Sequence, residues 1–251
     1  MPAGPLAPGW TRVDGRLVHH RSGGRPSPAG PVVLVHGLIS GTYLLPLAER
    51  LAGRTTVAVP DLPGFGPTPA AERALDVEGL AGVLGAWLRA SGLAGATVVG
   101  HSVGAQVVVR LAAEHPELVG RAVLTGPTGD PGARTAAHYG VRWARCWRHE
   151  PLDLHRLAAR EALTLSPGLA GRTLRHAVAE PTAALLARVA APTLVIRGEH
   201  DHLAPEAWCR AAAALLPDGR LATVAGASHT VHWAAPGETA DLVLRAPVAA
   251  A

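Results

Sequence analysis

Ala96-Thr97-Val98-Val99-Gly100-His101-Ser102-Val103-Gly104-Ala105-Gln106 joins an apolar run to a helix-compatible stretch through a serine with glycine two positions before and two positions after it. A strand and a helix can cross closely at such a turn only where the flanking positions carry no bulk. The spacing therefore predicts a strand over residues 95–100, a helix over 103–115, and between them a sharp, strained turn that presents the Ser102 hydroxyl beyond the end of the strand. The same turn would aim the backbone N–H of Val103 at the point where a negative oxygen could form.

Four further segments carry related signals. Pro31 to Leu38 is an apolar strand ending in His36-Gly37, where a glycine lets the N–H of Leu38 turn back toward Ser102 as a second donor. His36 itself reads as a brace for the loop. Thr56 to Gly66 is a strand running into a turn rich in glycine and proline. Pro192 to Asp201 is a β-rich run with a carboxylate just past its end, and Ala222 to His229 is a short strand followed by a loop histidine. A hydroxyl is a weak nucleophile near neutral pH. It needs a base beside it, and the base needs a partner to fix its tautomer. Ser102, Asp201 and His229 supply those three roles in that chain order. His232, three residues on, is the rival base and a candidate substrate contact; Asp130 is the rival acid, although its place between Gly129 and Pro131 suits a turn cap.

Through HGL at 36–38, DLPGFG at 61–66, GHSVG at 100–104, GEHD at 198–201 and GASH at 226–229, the chain resembles the α/β-hydrolase family over most of its length. The resemblance implies a doubly wound, mostly parallel sheet covered by helices. It also implies triad roles for Ser102, Asp201 and His229; the turns themselves would supply an oxyanion hole from the N–H groups of Leu38 and Val103, the acyl-transfer chemistry needs no cofactor, and with Asp201 and His229 placed in the triad no metal site is expected. Two departures stand out: Pro67-Thr68 follows the glycine loop where many relatives have serine, and the HGL segment lacks the extra glycines of lipase-type motifs.

Alternation of strands with helices over 43–52, 76–91, 103–115, 205–215 and 237–246 is the pattern of a covered parallel sheet. A hairpin is expected over 10–21, after a loose tail at 2–9. The rhythm breaks after Gly126, which divides the chain into a catalytic domain of residues 1–129 and 191–251 and an inserted helical lid over 130–190. Within the insertion Tyr139, Trp143 and Trp147 recur every four residues and share one helical face, suited both to packing and to lining a substrate pocket. Arg142, Arg145 and Arg148 form a second row, expected to face solvent.

Composition agrees with one such unit. With 251 residues, 48% hydrophobic, the chain can bury a sizeable core. A single phenylalanine leaves that core to leucine, valine and alanine. The net charge of +4 comes from arginines scattered without a dense run, which argues against nucleic acid as a partner. Two cysteines make no disulfide framework, and neither a signal-peptide pattern nor a membrane-length apolar run is present, so the expected setting is the cytoplasm, with a small-molecule substrate as partner and no membrane; the oligomeric state is left open. These readings converge on acyl transfer to water from an ester, thioester or lactone. Two alternatives remain: a C–C bond hydrolase, lyase or cyclase on the same scaffold, and a ligand-binding protein without turnover.

Overall fold

The computed structural model describes residues 6–133, 135–164 and 167–245. Eight strands form a single sheet: β1 (Ala7–Val13), β2 (Arg16–Gly23), β3 (Val32–Val35), β4 (Val57–Pro60), β5 (Ala96–His101), β6 (Val119–Thr125), β7 (Thr193–Gly198) and β8 (Gly219–Val224). Their order is β1-β2-β4-β3-β5-β6-β7-β8. The first three are antiparallel neighbours, and from β4 onward every pairing is parallel.

The inner parallel strands β3, β4, β5 and β7 are buried on both sides because helices cover both faces. Val98 of β5 belongs to one core, with Leu84, Trp87 and Leu111. Its neighbour Val99 belongs to the other, with Leu47, Leu51 and Val243. β3 divides in the same way, Val33 and Val35 against Val32 and Leu34. This is the period-two alternation of a strand, with both phases buried. The helices on the first face include α2 (Val77–Ala90), α3 (Val103–Glu114) and α8 (Glu206–Leu215); α1 (Leu45–Ala52) and α10 (Pro236–Arg245) cover the second. Asp76 caps α2 by accepting the Gly79 N–H at 2.8 Å.

Among the described residues, four helices lie between β6 and β7: α4 (Ala136–Trp147), α5 (Leu152–Thr164), α6 (Pro167–Ala179) and α7 (Thr182–Leu186). Leu185 and Leu186 of α7 join the same core as α3 and α8, so the chain is back on the sheet before residue 190. A four-residue helix, α9 (Val231–Ala234), went unpredicted because it is too short to show a period.

One expectation is corrected at the start of the chain. Ala7, Pro8 and Gly9 are not a loose tail; they pair with Ser22, Arg21 and His20 and lengthen the hairpin. Pro8 sits on an edge strand, where its missing N–H costs no ladder bond.

Candidate active site

Leu38, Ser102, Asp201 and His229 lie just past the carboxyl ends of β3, β5, β7 and β8, the rim where parallel α/β sheets place ligands. Ser102 follows the central strand β5 directly and holds φ 56° and ψ −119°, a conformation that costs a side-chain-bearing residue about 1–3 kcal/mol. The crossing that enforces it is tight. A Cβ on Gly100 would stand 2.4 Å from the Gly104 carbonyl oxygen, and one on Gly104 would stand 2.4 Å from that of His36. The Ser102 N–H donates to the Thr125 carbonyl at 3.0 Å, which ties the turn to β6. Leu38 and Val103 border the same cavity as Ser102, and the positive end of the α3 dipole lies beneath.

Asp201 lies just beyond β7. Its Oδ1 accepts the N–H groups of Leu203 and Ala204, both at 2.9 Å, so the carboxylate is fixed in orientation. Its Oδ2 faces His229 Nδ1 at 3.0 Å, and both side chains are buried. With the Nδ1 proton directed at the carboxylate, Nε2 is left as an acceptor, and it is buried without a hydrogen-bond partner among the described residues. Burial pulls the imidazole pKa down, but the charge of Asp201, the hydrogen bond to it and the more distant charge of Glu150 outweigh burial, so His229 is held above its ordinary value.

The two rivals are placed elsewhere. Asp130 pairs with Arg142 at 2.6 Å and caps the Gly132 N–H at 2.8 Å, as its turn sequence implied. His232 packs against Tyr43 and His101 at ring-centroid distances of 5.0 and 4.3 Å, behind the cavity wall instead of on it. Its expected contact with substrate is therefore corrected, and burial drives its pKa down to about 3. His36 braces the loops as expected: Nδ1 donates to the Gly37 carbonyl at 2.9 Å and Nε2 accepts the Leu62 N–H at 2.8 Å.

Several contacts around the site had no signal in the sequence. The Gly37 N–H donates to the Tyr43 hydroxyl at 2.6 Å, and Tyr43 donates to His101 Nδ1 at 2.8 Å. His101 Nε2 then donates to the His229 carbonyl at 3.2 Å. This chain suits a neutral His101, whose pKa is lowered by burial and by the neighbouring His232 and His229. It connects the loop that carries Leu38 to the loop that carries His229. On the far side of Asp201, the Cys146 thiol of α4 accepts the N–H groups of His202 and Leu203, each at 3.2 Å. Burial pushes the pKa of that thiol up to about 12.

Above Ser102 lies a cavity of about 360 Å³. Tyr139, Trp143 and Trp147 of α4 all line it, joined by Leu154 of α5 and Leu174 of α6. Trp143 packs edge-on at 6.2 Å from the His229 ring and 5.4 Å from Trp147, which stacks on His155 at 4.0 Å. Tyr139 also accepts the Gly129 N–H on its hydroxyl at 3.0 Å, so its role is partly structural. No Asp, Glu or Arg lines the cavity among the described residues. Nor, among those residues, do His, Cys, Asp and Glu gather into a group able to hold a metal ion.

A covered parallel sheet with a strained serine turn at its centre defines a class, and comparison with known sequences agrees. The chain belongs to the alpha/beta hydrolase family, which it matches over residues 32–242. It is 27% identical over 239 residues to a 2-(acetamidomethylene)succinate hydrolase of Mesorhizobium japonicum, covering 84% of this chain and 86% of that one. Three mycobacterial relatives are matched over only 34% of their length. Among solved structures, a thermophilic esterase from Thermogutta terrifontis superposes with a TM-score of 0.79 at 19% identity, covering 94% of this chain and 96% of that one. A meta-cleavage product hydrolase from Pseudomonas fluorescens gives 0.77 at 19%, covering 95% and 96%. At such identities the structural likeness speaks for the fold alone.

Proposed function

We propose that this chain is a serine hydrolase that cleaves an ester, thioester or lactone of a small to medium apolar substrate through an acyl-enzyme. The observation that carries this reading is His229: Asp201 holds Nδ1 while Nε2 is left without a partner, on the wall of the cavity that also takes in Ser102. In the proposed reaction Nε2 accepts the Ser102 proton as Oγ bonds to the substrate carbonyl carbon. The N–H groups of Leu38 and Val103 hold the resulting oxyanion. The carbon–heteroatom bond then breaks, His229 returns the proton to the leaving group, and water enters by the same path to release the acid. Helices α4 to α6 act as the lid, while α7 belongs to the core beneath it.

The cavity wall favours uncharged substrates. A succinate derivative such as the Mesorhizobium enzyme's would bring two carboxylates, and a site for it would offer cationic side chains; the described wall has none. The same argument weighs against anionic substrates for a C–C bond hydrolase, so acyl transfer on a neutral ester is preferred.

The test is labelling by a fluorophosphonate probe, together with hydrolysis of short activated esters. Wild type should react on both counts and Ser102→Ala on neither, with the thermal transition of the variant within about 2 °C, because the change removes one hydroxyl from a turn held by glycines. Activity in Ser102→Ala near the wild-type level would overturn the assignment.

A further inference from the structure

Glu150 follows the end of α4 and is 7% exposed. Its Oε1 accepts the Thr230 N–H at 3.1 Å and its Oε2 accepts the Thr230 hydroxyl. Both bonds therefore go to the residue after His229, and no arginine pairs with the carboxylate among the described residues. Burying a carboxylate away from a cation is costly. An amide or a hydroxyl at this position could make similar hydrogen bonds at lower cost, so the contacts alone do not account for an acid here. What the site does contain is a buried imidazole that becomes a cation each time it takes the serine proton.

We propose that Glu150 is a positioning residue for His229, clamping the peptide of the base through Thr230 and holding a second negative charge on the main-chain side of the imidazolium as it forms. This rests on the reading of His229 as the base. The groups facing His229 come from several elements: Asp201 from the loop after β7, His101 from β5, His232 from α9 and Glu150 from the end of α4. His101 and His232 have their pKa values lowered by burial and stay neutral near neutral pH, so the two carboxylates are the charges that His229 experiences. Asp201 acts on it directly at Nδ1. Glu150 acts from the main-chain side, and it also joins the helix that roofs the cavity to the loop that carries the base.

Two variants of the full chain separate the charge from the clamp. Glu150→Gln keeps a hydrogen-bonding side chain of the same shape and removes the charge; Thr230→Val keeps the charge and the backbone bond and removes the hydroxyl contact. Each is measured by titration of the His229 ring in NMR, by kcat/KM on a short activated ester from pH 5 to 9, and by melting. Glu150→Gln should lower the His229 pKa by about 0.5–1 unit, with the acidic limb of kcat/KM moving equally and kcat falling about three- to tenfold. Thr230→Val should lower kcat and leave the limb in place. If the ring titration and the limb both stay put in Glu150→Gln while wild type is active, Glu150 is only a staple and the proposal is overturned, with the hydrolase reading intact. If the ring titration moves but wild type is inert to every ester and phosphonate, the charge contact stands and the hydrolase reading fails.

Discussion

At the scale of single residues, Asp201 and His229, which the sequence singles out, meet at 3.0 Å and Ser102 borders a cavity with His229, whereas most of the groups that hold them carry no local mark. Ser102, Asp201 and His229 were legible because each closes a local pattern of strand and turn. Tyr43, His101 and Glu150 were not, since their partners lie 58, 128 and 80 positions away and nothing local marks the pairing. Gly126 belongs with them. It ends β6 at φ +52°, and a Cβ there would stand 2.8 Å from His229 Nδ1 and 3.0 Å from Asp201 Oδ2. Gly126→Ala therefore combines left-handed backbone strain with a push on the hydrogen-bonded Asp201–His229 pair. A displacement of that kind costs about 10²-fold in kcat, with KM little changed. Gly82→Ala is the control, because Gly82 lies in α2, outside the cavity lining, with nothing within 4 Å of its would-be Cβ, and alanine there should be neutral or stabilise by about 0.5–1 kcal/mol. Steady-state kinetics with melting curves check both; equal kinetics in the two variants would mean that Gly126 has no special place.

At the scale of elements, helices with a long apolar period were readable and short or tertiary-held pieces were not. α2, α3 and α8 lie within a residue or two of their expected ranges, whereas α9 has too few residues to show a pattern. For α4 the four-residue spacing placed Tyr139, Trp143 and Trp147 on one face, and all three line the cavity. Packing and recognition are divided unevenly among them. Trp143 is 42% exposed and reaches toward His229, so its loss should cost the fold little, whereas Tyr139 is buried and satisfies the Gly129 N–H. Trp143→Ala should change the preference between bulky and small esters by up to a few kcal/mol in kcat/KM and leave kcat on the smallest ester within about tenfold. Tyr139→Phe should instead lower stability by about 1–3 kcal/mol, because it strands a backbone donor. An ester series measured beside urea unfolding distinguishes the two outcomes. Trp143→Ala that lowers stability with unchanged relative preference would make the stripe packing alone.

At the scale of the whole molecule, the doubly wound sheet was legible because both phases of the inner parallel strands are mostly apolar, but the price of gathering histidines at one rim was not, since burial is a tertiary property. His36, His101 and His232 are fully enclosed, and burial lowers the pKa of each. An imidazole of this kind takes up a proton near pH 6.5 in the unfolded chain and refuses it in the folded one. Its contribution to stability is therefore complete above that pH and is lost as the pH falls below it. His229 runs the other way: its raised pKa adds stability below the unfolded value, which disappears as the pH rises through the folded value. Since the lowered groups outnumber the raised one, stability should fall on the acid side of neutrality, starting well above the range where carboxylates titrate. Between pH 6.5 and 5.5 each strongly lowered imidazole forfeits about 1 kcal/mol, so His101 and His232 together account for about 2 kcal/mol. Urea unfolding at pH 7.5, 6.5 and 5.5 measures the slope, and His232→Phe, which removes one proton site from the unfolded chain, should flatten it by about one proton. If the variant loses stability with pH as steeply as wild type, the acid sensitivity arises elsewhere than in this buried histidine cluster.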